Sequence, residues 1–378
     1  MQKVVIIGAG IHGLAHALAA ARAGWKAVVI EGDPTARGAS IRNFGIFLPT
    51  GMADGLAAKA AAISGERWKE AAAGAGFPFF PCGSLFLATR QDELAVMEEF
   101  ISFPAARDSE AVLLSGREAM DASPLSNPDH VIGGLFSPHE CNLNPREAIA
   151  RIPGWLTREF GVSFHWGSPA VSVEDNAVRC ANGGQFHGDR IVVCPGADLQ
   201  TLFPGHLQEI GLRRCKLQMM ATQPMPGLDQ GPIIASGLCL RHYPSFSRCG
   251  SLKQLAERIA RETPELDRFG IHVMASQIDR PGGGLVLGDS HEYDVDISPF
   301  DKQVIDDLIL RELRRLIRPP HWRIAERWSG TYVKHPHKLI HHHQIAPQCW
   351  ISLAPGGAGM TLSFGLAELF WENPDLII

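Results

Sequence analysis

The sequence predicts an α/β fold that opens with a Rossmann-like βαβ unit, and three features near the N-terminus carry that prediction. The first is the run Gln-Lys-Val-Val-Ile-Ile at residues 2–7, apolar and β-branched without alternation, as a parallel strand covered on both faces requires. The second is Gly8-Ala9-Gly10-Ile11-His12-Gly13, which leads into an Ala/Leu-rich helix reaching about Ala23. The third is a second strand, Lys26 to Ile30, that ends on the acid Glu31.

Each part has a physical duty. Gly8 allows the tight turn, Gly10 lets backbone amides approach a diphosphate, and Gly13 lets helix and strand pack closely. Ala17 and Gly24 keep that contact small. The helix start offers N–H groups and the positive end of its dipole to the diphosphate. Glu31 stands where it can accept hydrogen bonds from adenosine ribose hydroxyls. The unit alone suits NAD and FAD equally.

The 378 residues are 45% apolar and 20% charged, a globular composition long enough for two or three domains. A net charge of -5 provides no overall positive field for nucleic acid or a membrane surface. Eight cysteines without a C-x-x-C pair, several in apolar runs, read as reduced core thiols. No run of 18 apolar residues occurs, and the first strand begins at once, so a cytoplasmic protein without a membrane span is expected. His12 and His16, four apart on the first helix, read as structural because no third ligand is at hand. His341-His342-His343 cannot all face one ion on a strand and reads as a loop near the surface. His335 and His337 also lack a third ligand. No metal is expected.

Beyond the first unit, the chain resembles the D-amino-acid oxidase and glycine/sarcosine oxidase superfamily of FAD-dependent oxidoreductases from end to end. Three further segments carry the likeness. Ala39-Ser40-Ile41-Arg42-Asn43-Phe44-Gly45 is similar to the segment that passes along the flavin. Residues 188–198 resemble the strand and small-residue turn that return under the dinucleotide, and Trp350 to Thr361 resembles the last strand and Gly-rich turn facing the flavin. The resemblance implies FAD, held by Gly8, Gly10, Ile11, His12, Gly13, Glu31, Gly32, Ser40, Arg42, Asn43, Gly45, Val171, Cys194, Gly196, Gly357, Ala358, Gly359, Met360 and Thr361. It also implies a discontinuous FAD-binding domain (1–82, 142–212 and 325–378) and a substrate domain with a mixed or antiparallel sheet (83–141 and 213–324). Strands would run over 215–222, 232–243, 271–278 and 284–289, and periodicity predicts helices over 91–101, 145–160 and 301–317. Where the sarcosine-type branch carries its flavin-linking Cys, this chain has Gly330, so the flavin is expected to be non-covalent. Val286 replaces that branch's oxygen-activating Lys.

A narrower likeness, carried by Arg42-Asn43-Phe44-Gly45, Lys216 to Met220, Leu240 to Pro244 and Gly288 to Tyr293, is to the branch associated with phosphonate breakdown. Tyr332 stands where the superfamily often has a carboxylate-clamping Arg, and a phenol does not replace a planar guanidinium. The expected activity is oxidative deamination of a small aminophosphonate: 2-aminoethylphosphonate, or its 1-hydroxy or N-methyl form. Molecular oxygen would be the acceptor and hydrogen peroxide a product. Lys216, Arg241, Tyr243, His291, Tyr332 and Lys334 are the expected substrate-binding residues, and no catalytic base is required if the amine arrives neutral. The alternatives are a glycine, sarcosine or D-amino-acid oxidase or dehydrogenase, and a flavoprotein subunit without turnover.

Overall fold

A computed structural model describes residues 1–353 and 355–374; Ala354, inside the quoted C-terminal motif, lies outside the described residues. The chain opens as β1 (Lys3–Ile7), α1 (Ile11–Arg22) and β2 (Lys26–Ile30). β1 lies inside a six-stranded sheet ordered His341–Ala346, Cys349–Leu353, Arg190–Val193, β1, β2, Ser163–His165. All neighbours are parallel except the pair formed by His341–Ala346 and Cys349–Leu353. Val4 and Ile6 enter one apolar core and Val5 and Ile7 another, on opposite faces. That double burial explains why the run does not alternate in polarity. On one side, α1 packs with the helices Leu56–Ala75 and Gly359–Glu372, whose contact is so close that a Cβ on Gly365 would overlap the Ala60 carbonyl oxygen.

A second sheet of nine strands forms the other half of the fold. Its path runs Glu292–Asp294, Arg213–Thr222, Leu285–Gly288, Met274–Gln277, Ile233–Ser236, Ser84–Ala88, Gly133–Ser137, Val112–Ser115. Ile324–Lys334 pairs along the whole of Arg213–Thr222. The sheet is mixed, since Ile233–Ser236 runs parallel to Ser84–Ala88 and the other pairs are antiparallel. The helices expected at 91–101, 145–160 and 301–317 occupy Gln91–Phe100, Pro145–Phe160 and Gln303–Leu316.

Two expectations are corrected. The strand expected over 232–243 ends at Ser236, and Gly237–Arg241 winds into a 3-10 turn. Leu238, Cys239 and Leu240 are all buried there, and a short apolar run satisfies either backbone equally. His341-His342-His343 is an edge strand and not a loop. His342 turns to Phe370, with ring centroids 4.2 Å apart, while His341 and His343 turn to His206 on the other face, where His341 is buried and His343 stays exposed.

Candidate active site

A cavity of about 1620 Å3 is lined at one end by the Gly8–Gly13 turn and at the other by residues of the nine-stranded sheet. Its size exceeds the few hundred to roughly 1,000 Å3 usual for one small ligand and leaves room for a dinucleotide beside a substrate.

The cofactor end is shaped mainly by backbone. Gly8 has φ +101°, and a Cβ there would overlap the Cys194 carbonyl oxygen. A Cβ on Gly13 would overlap the carbonyl oxygen of Gly8, which is the close helix–strand approach expected of that position. Gly10 is less confined, since a Cβ there would meet the Ser40 hydroxyl at 3.0 Å. Both oxygens of Glu31 are engaged: the N–H of Ala9 donates to one at 2.8 Å and the N–H of Asp33 to the other at 3.1 Å. Ser40 Oγ accepts from the Ile11 N–H at 2.9 Å, and the Asn43 amide braces its own loop through Ala39, Ser40 and Gly45. From the C-terminal side, Gly356 to Thr361 line the cavity at the start of a helix that has no side-chain cap. Its positive dipole end therefore faces the space where negative charge would develop. A glycine turn, an acid at the end of β2 and a second open helix start together fit FAD.

Beneath this end, His12 Nε2 and His16 Nε2 share the Ser352 hydroxyl at 2.7 and 3.1 Å. Burial holds His12 down to about 4 and His16 well below the ordinary range. The fold also brings Cys194 within ligand reach of both, which the sequence reading missed, but burial raises that thiol far above its usual range.

The substrate end is made of side chains. Arg241, Tyr243, His291, Tyr332 and Lys334 line the cavity, and so do His242, His272, Asp289 and Tyr293, which the sequence reading did not select. The rings of His242, His272 and His291 form a column with successive centroids 3.9 and 4.2 Å apart. Burial lowers all three, His242 to about 3 and His291 to about 4. Asp289 is pushed well above the carboxylate range, again by burial. Arg241 binds Asp267 at 2.5 Å through one nitrogen, while its buried Nε has no partner. Tyr332 and Tyr293 meet through their hydroxyls at 3.2 Å, and a Cβ on Gly357 would stand 3.5 Å from the Tyr332 hydroxyl. Tyr332 thus joins the two ends.

Three expected residues do not line the cavity. Leu217 and Met219 face it, so Lys216 points through the other face of its strand. There its ammonium donates to the Ser298 and Phe300 carbonyls at 3.0 and 2.7 Å and pairs with Asp301 at 2.7 Å. The same alternation puts Ala170 on the cavity and leaves Val171 48% exposed. Gly45, between cavity-lining Phe44 and Ile46, serves the turn: its φ is +67° and a Cβ would overlap the Leu143 carbonyl oxygen. His242, Asp289 and Tyr293 lie within the motifs already quoted, whereas His272 carries no local signal.

Residues 3–372 match the family described as DAO, FAD dependent oxidoreductase. Solved structures share the fold over almost the whole chain. Glycine oxidase from Bacillus cereus ATCC 14579 is 16% identical at a TM-score of 0.75, covering 98% of this chain and 94% of its own. L-proline dehydrogenase from P. horikoshii is 20% identical at 0.74, covering 98% and 92%. L-α-glycerophosphate oxidase from Mycoplasma pneumoniae, solved with FAD bound, is 14% identical at 0.72, covering 99% and 95%. Among the described residues, no helix is long and apolar enough to cross a membrane.

Proposed function

Since the chain belongs to the DAO family of FAD-dependent oxidoreductases, we propose that it oxidises the C–N bond of a small amine whose other end carries a phosphonate. The observation that carries this reading is the substrate end itself. Arg241, Lys334, Tyr293, Tyr332 and three imidazoles surround one space, and by resemblance the phenol of Tyr332 stands in place of the superfamily's carboxylate-clamping Arg. A tetrahedral dianion accepts hydrogen bonds from several directions, which suits scattered point donors better than one planar fork. Glycine oxidase from Bacillus cereus supports an amine, while glycerophosphate oxidase supports a phosphate-like group on a small substrate of the same fold.

FAD, when bound, accepts the hydride from the carbon bearing nitrogen. The chain's part is to hold the substrate for that transfer. Arg241 Nε and the Lys334 ammonium attract the anion, and the Tyr332 hydroxyl, beside Gly357, orients it toward the flavin turn. Apolar Leu217, Met219 and Met274 exclude water beside the reacting carbon. Burial holds the imidazoles neutral near pH 7, so each can donate one hydrogen bond and accept another at the substrate without adding a charge of its own. Hydrolysis of the imine would release aldehyde and ammonia, or methylamine from an N-methyl substrate, and molecular oxygen as the electron acceptor would be reduced to hydrogen peroxide. The flavin is non-covalent and its domain comprises 1–82, 142–212 and the C-terminal segment after Lys334, because Ile324–Lys334, expected with the flavin domain, pairs with Arg213–Thr222 in the sheet of the substrate domain. Aerobic incubation with 2-aminoethylphosphonate should yield aldehyde, ammonia and peroxide in equal amounts. Turnover of glycine or sarcosine with none of the phosphonate would refute the substrate and leave the oxidoreductase standing.

A further inference from the structure

The substrate end contains a His–Asp–His cluster whose buried carboxyl group the point donors around the anion leave unexplained. His272 and Asp289 are cross-strand neighbours joined by mutual backbone hydrogen bonds of 3.4 and 3.2 Å, and His291 follows two residues after Asp289. One ligating atom from each of the three lies within 4.8 Å of the other two. Asp289 Oδ1 is 3.7 Å from His272 Nε2 and 3.8 Å from His291 Nδ1, both too long for hydrogen bonds. That oxygen is buried and has no hydrogen-bond partner, and a buried polar atom left without one is costly.

We infer that His272, Asp289 and His291 bind one divalent transition-metal ion, zinc foremost, at the substrate end of the cavity. Donors 3.7 and 3.8 Å apart leave space between them for an ion at about 2.0–2.2 Å from each, the usual Zn–N and Zn–O lengths. The Gly270 carbonyl stands 3.5 Å from His272 Nδ1 and 3.3 Å from His291 Nδ1. It can take the Nδ1 proton of His272 and leave that ring's Nε2 bare, as outer partners of metal-bound histidines do, whereas His291 would turn its unprotonated Nδ1 to the ion and carry its proton on Nε2. All three residues line the cavity, so the site has three protein ligands and an open side, the arrangement of catalytic rather than structural zinc. Resting on the reading above, that open side would take a phosphonate oxygen; the ion site itself does not depend on it. The other histidine groups are less suited. The Ser352 hydroxyl already joins His12 to His16, and the His206, His341 and His343 group has no carboxylate in its ring contacts.

Equilibrium dialysis of the FAD-loaded protein against zinc chloride, followed by elemental analysis, tests the site. One ion per chain is expected, with affinity reduced about a hundredfold or more in Asp289→Asn and His272→Gln. A His206→Asn/His341→Asn variant should keep the ion. Absence of the ion from wild type, or its full retention in Asp289→Asn, overturns the site. Should the Asp289 variant fail to fold, cobalt-loaded wild type decides. Visible bands without a thiolate charge-transfer band support these ligands, and a thiolate band moves the ion to Cys194 and overturns the proposal. A wild type that binds zinc but ignores aminophosphonates keeps this site and loses only the proposed substrate.

Discussion

At the cofactor end the cavity wall is backbone, held in place by Gly8 and Gly13, where any Cβ would strike a carbonyl oxygen. At the substrate end it is side chain, delivered by a 3-10 turn (Arg241, His242), two strand ends (His272, Asp289) and the long strand Ile324–Lys334. Backbone cannot be exchanged without losing the turn, whereas side chains can be replaced singly. One fold can therefore keep its cofactor and change its substrate. Substitutions at the first end should abolish cofactor binding, and those at the second should divide substrates.

The largest effect is expected at Gly13→Val. Its side chain would overlap the Gly8 carbonyl, so the protein should purify colourless or fail to fold, and a yellow, active variant would break the comparison at its firmer end. Arg241→Ala should keep its FAD absorbance while kcat/KM for 2-aminoethylphosphonate falls by about thirty- to a thousand-fold, or about 2–4 kcal/mol, and any glycine reaction changes little. An equal loss on both substrates would mean that Arg241 holds only Asp267 and the local fold. Glu31→Gln should weaken FAD binding by about 1–3 kcal/mol, measured by fluorescence titration of the apoprotein. Unchanged affinity would show that the ribose is held elsewhere.

The smallest effect separates two ways of keeping histidine buried. His16 is held well below its ordinary range by burial, so below about pH 6.5 the unfolded chain binds a proton that the folded chain refuses. Its contribution is complete above that pH and is lost as pH falls. Between pH 7 and pH 5, His16→Asn should therefore lose less stability than wild type, by at most about 2 kcal/mol in urea denaturation. Asp289, raised by burial, acts in the opposite sense, which is why the difference between proteins is measured and not the slope of either. An identical slope would mean that His16 is protonated in the fold.

The same contrast explains what could be read from the sequence. The cofactor end follows local rules: glycines at fixed offsets after a strand, and an acid closing the next one. The residues from Gly8 to Gly13 and Glu31 all line the cavity except Ala9, whose N–H binds Glu31. The substrate end depends on register. Lys216 and Leu217 differ by one position, and only the pairing of Arg213–Thr222 with its neighbours determines which faces the cavity. His272 has no neighbour in sequence that marks it, because Asp289 and His291 reach it across strands. His341 to His343 read as a loop because histidine has no strong strand preference, while Phe370 and His206, far apart in sequence, provide its ring contacts.

The central claim is that a flavin at the first end takes electrons from a phosphonate-bearing amine held by side chains at the second. Anaerobic mixing of the yellow protein with 2-aminoethylphosphonate, its N-methyl and 1-hydroxy forms, glycine, sarcosine and D-alanine tests it directly. Fast loss of the flavin band near about 450 nm with an aminophosphonate, and slow or no loss with the carboxylates, is the predicted result. Fast bleaching by glycine, sarcosine or D-alanine with the aminophosphonates inert would contradict it.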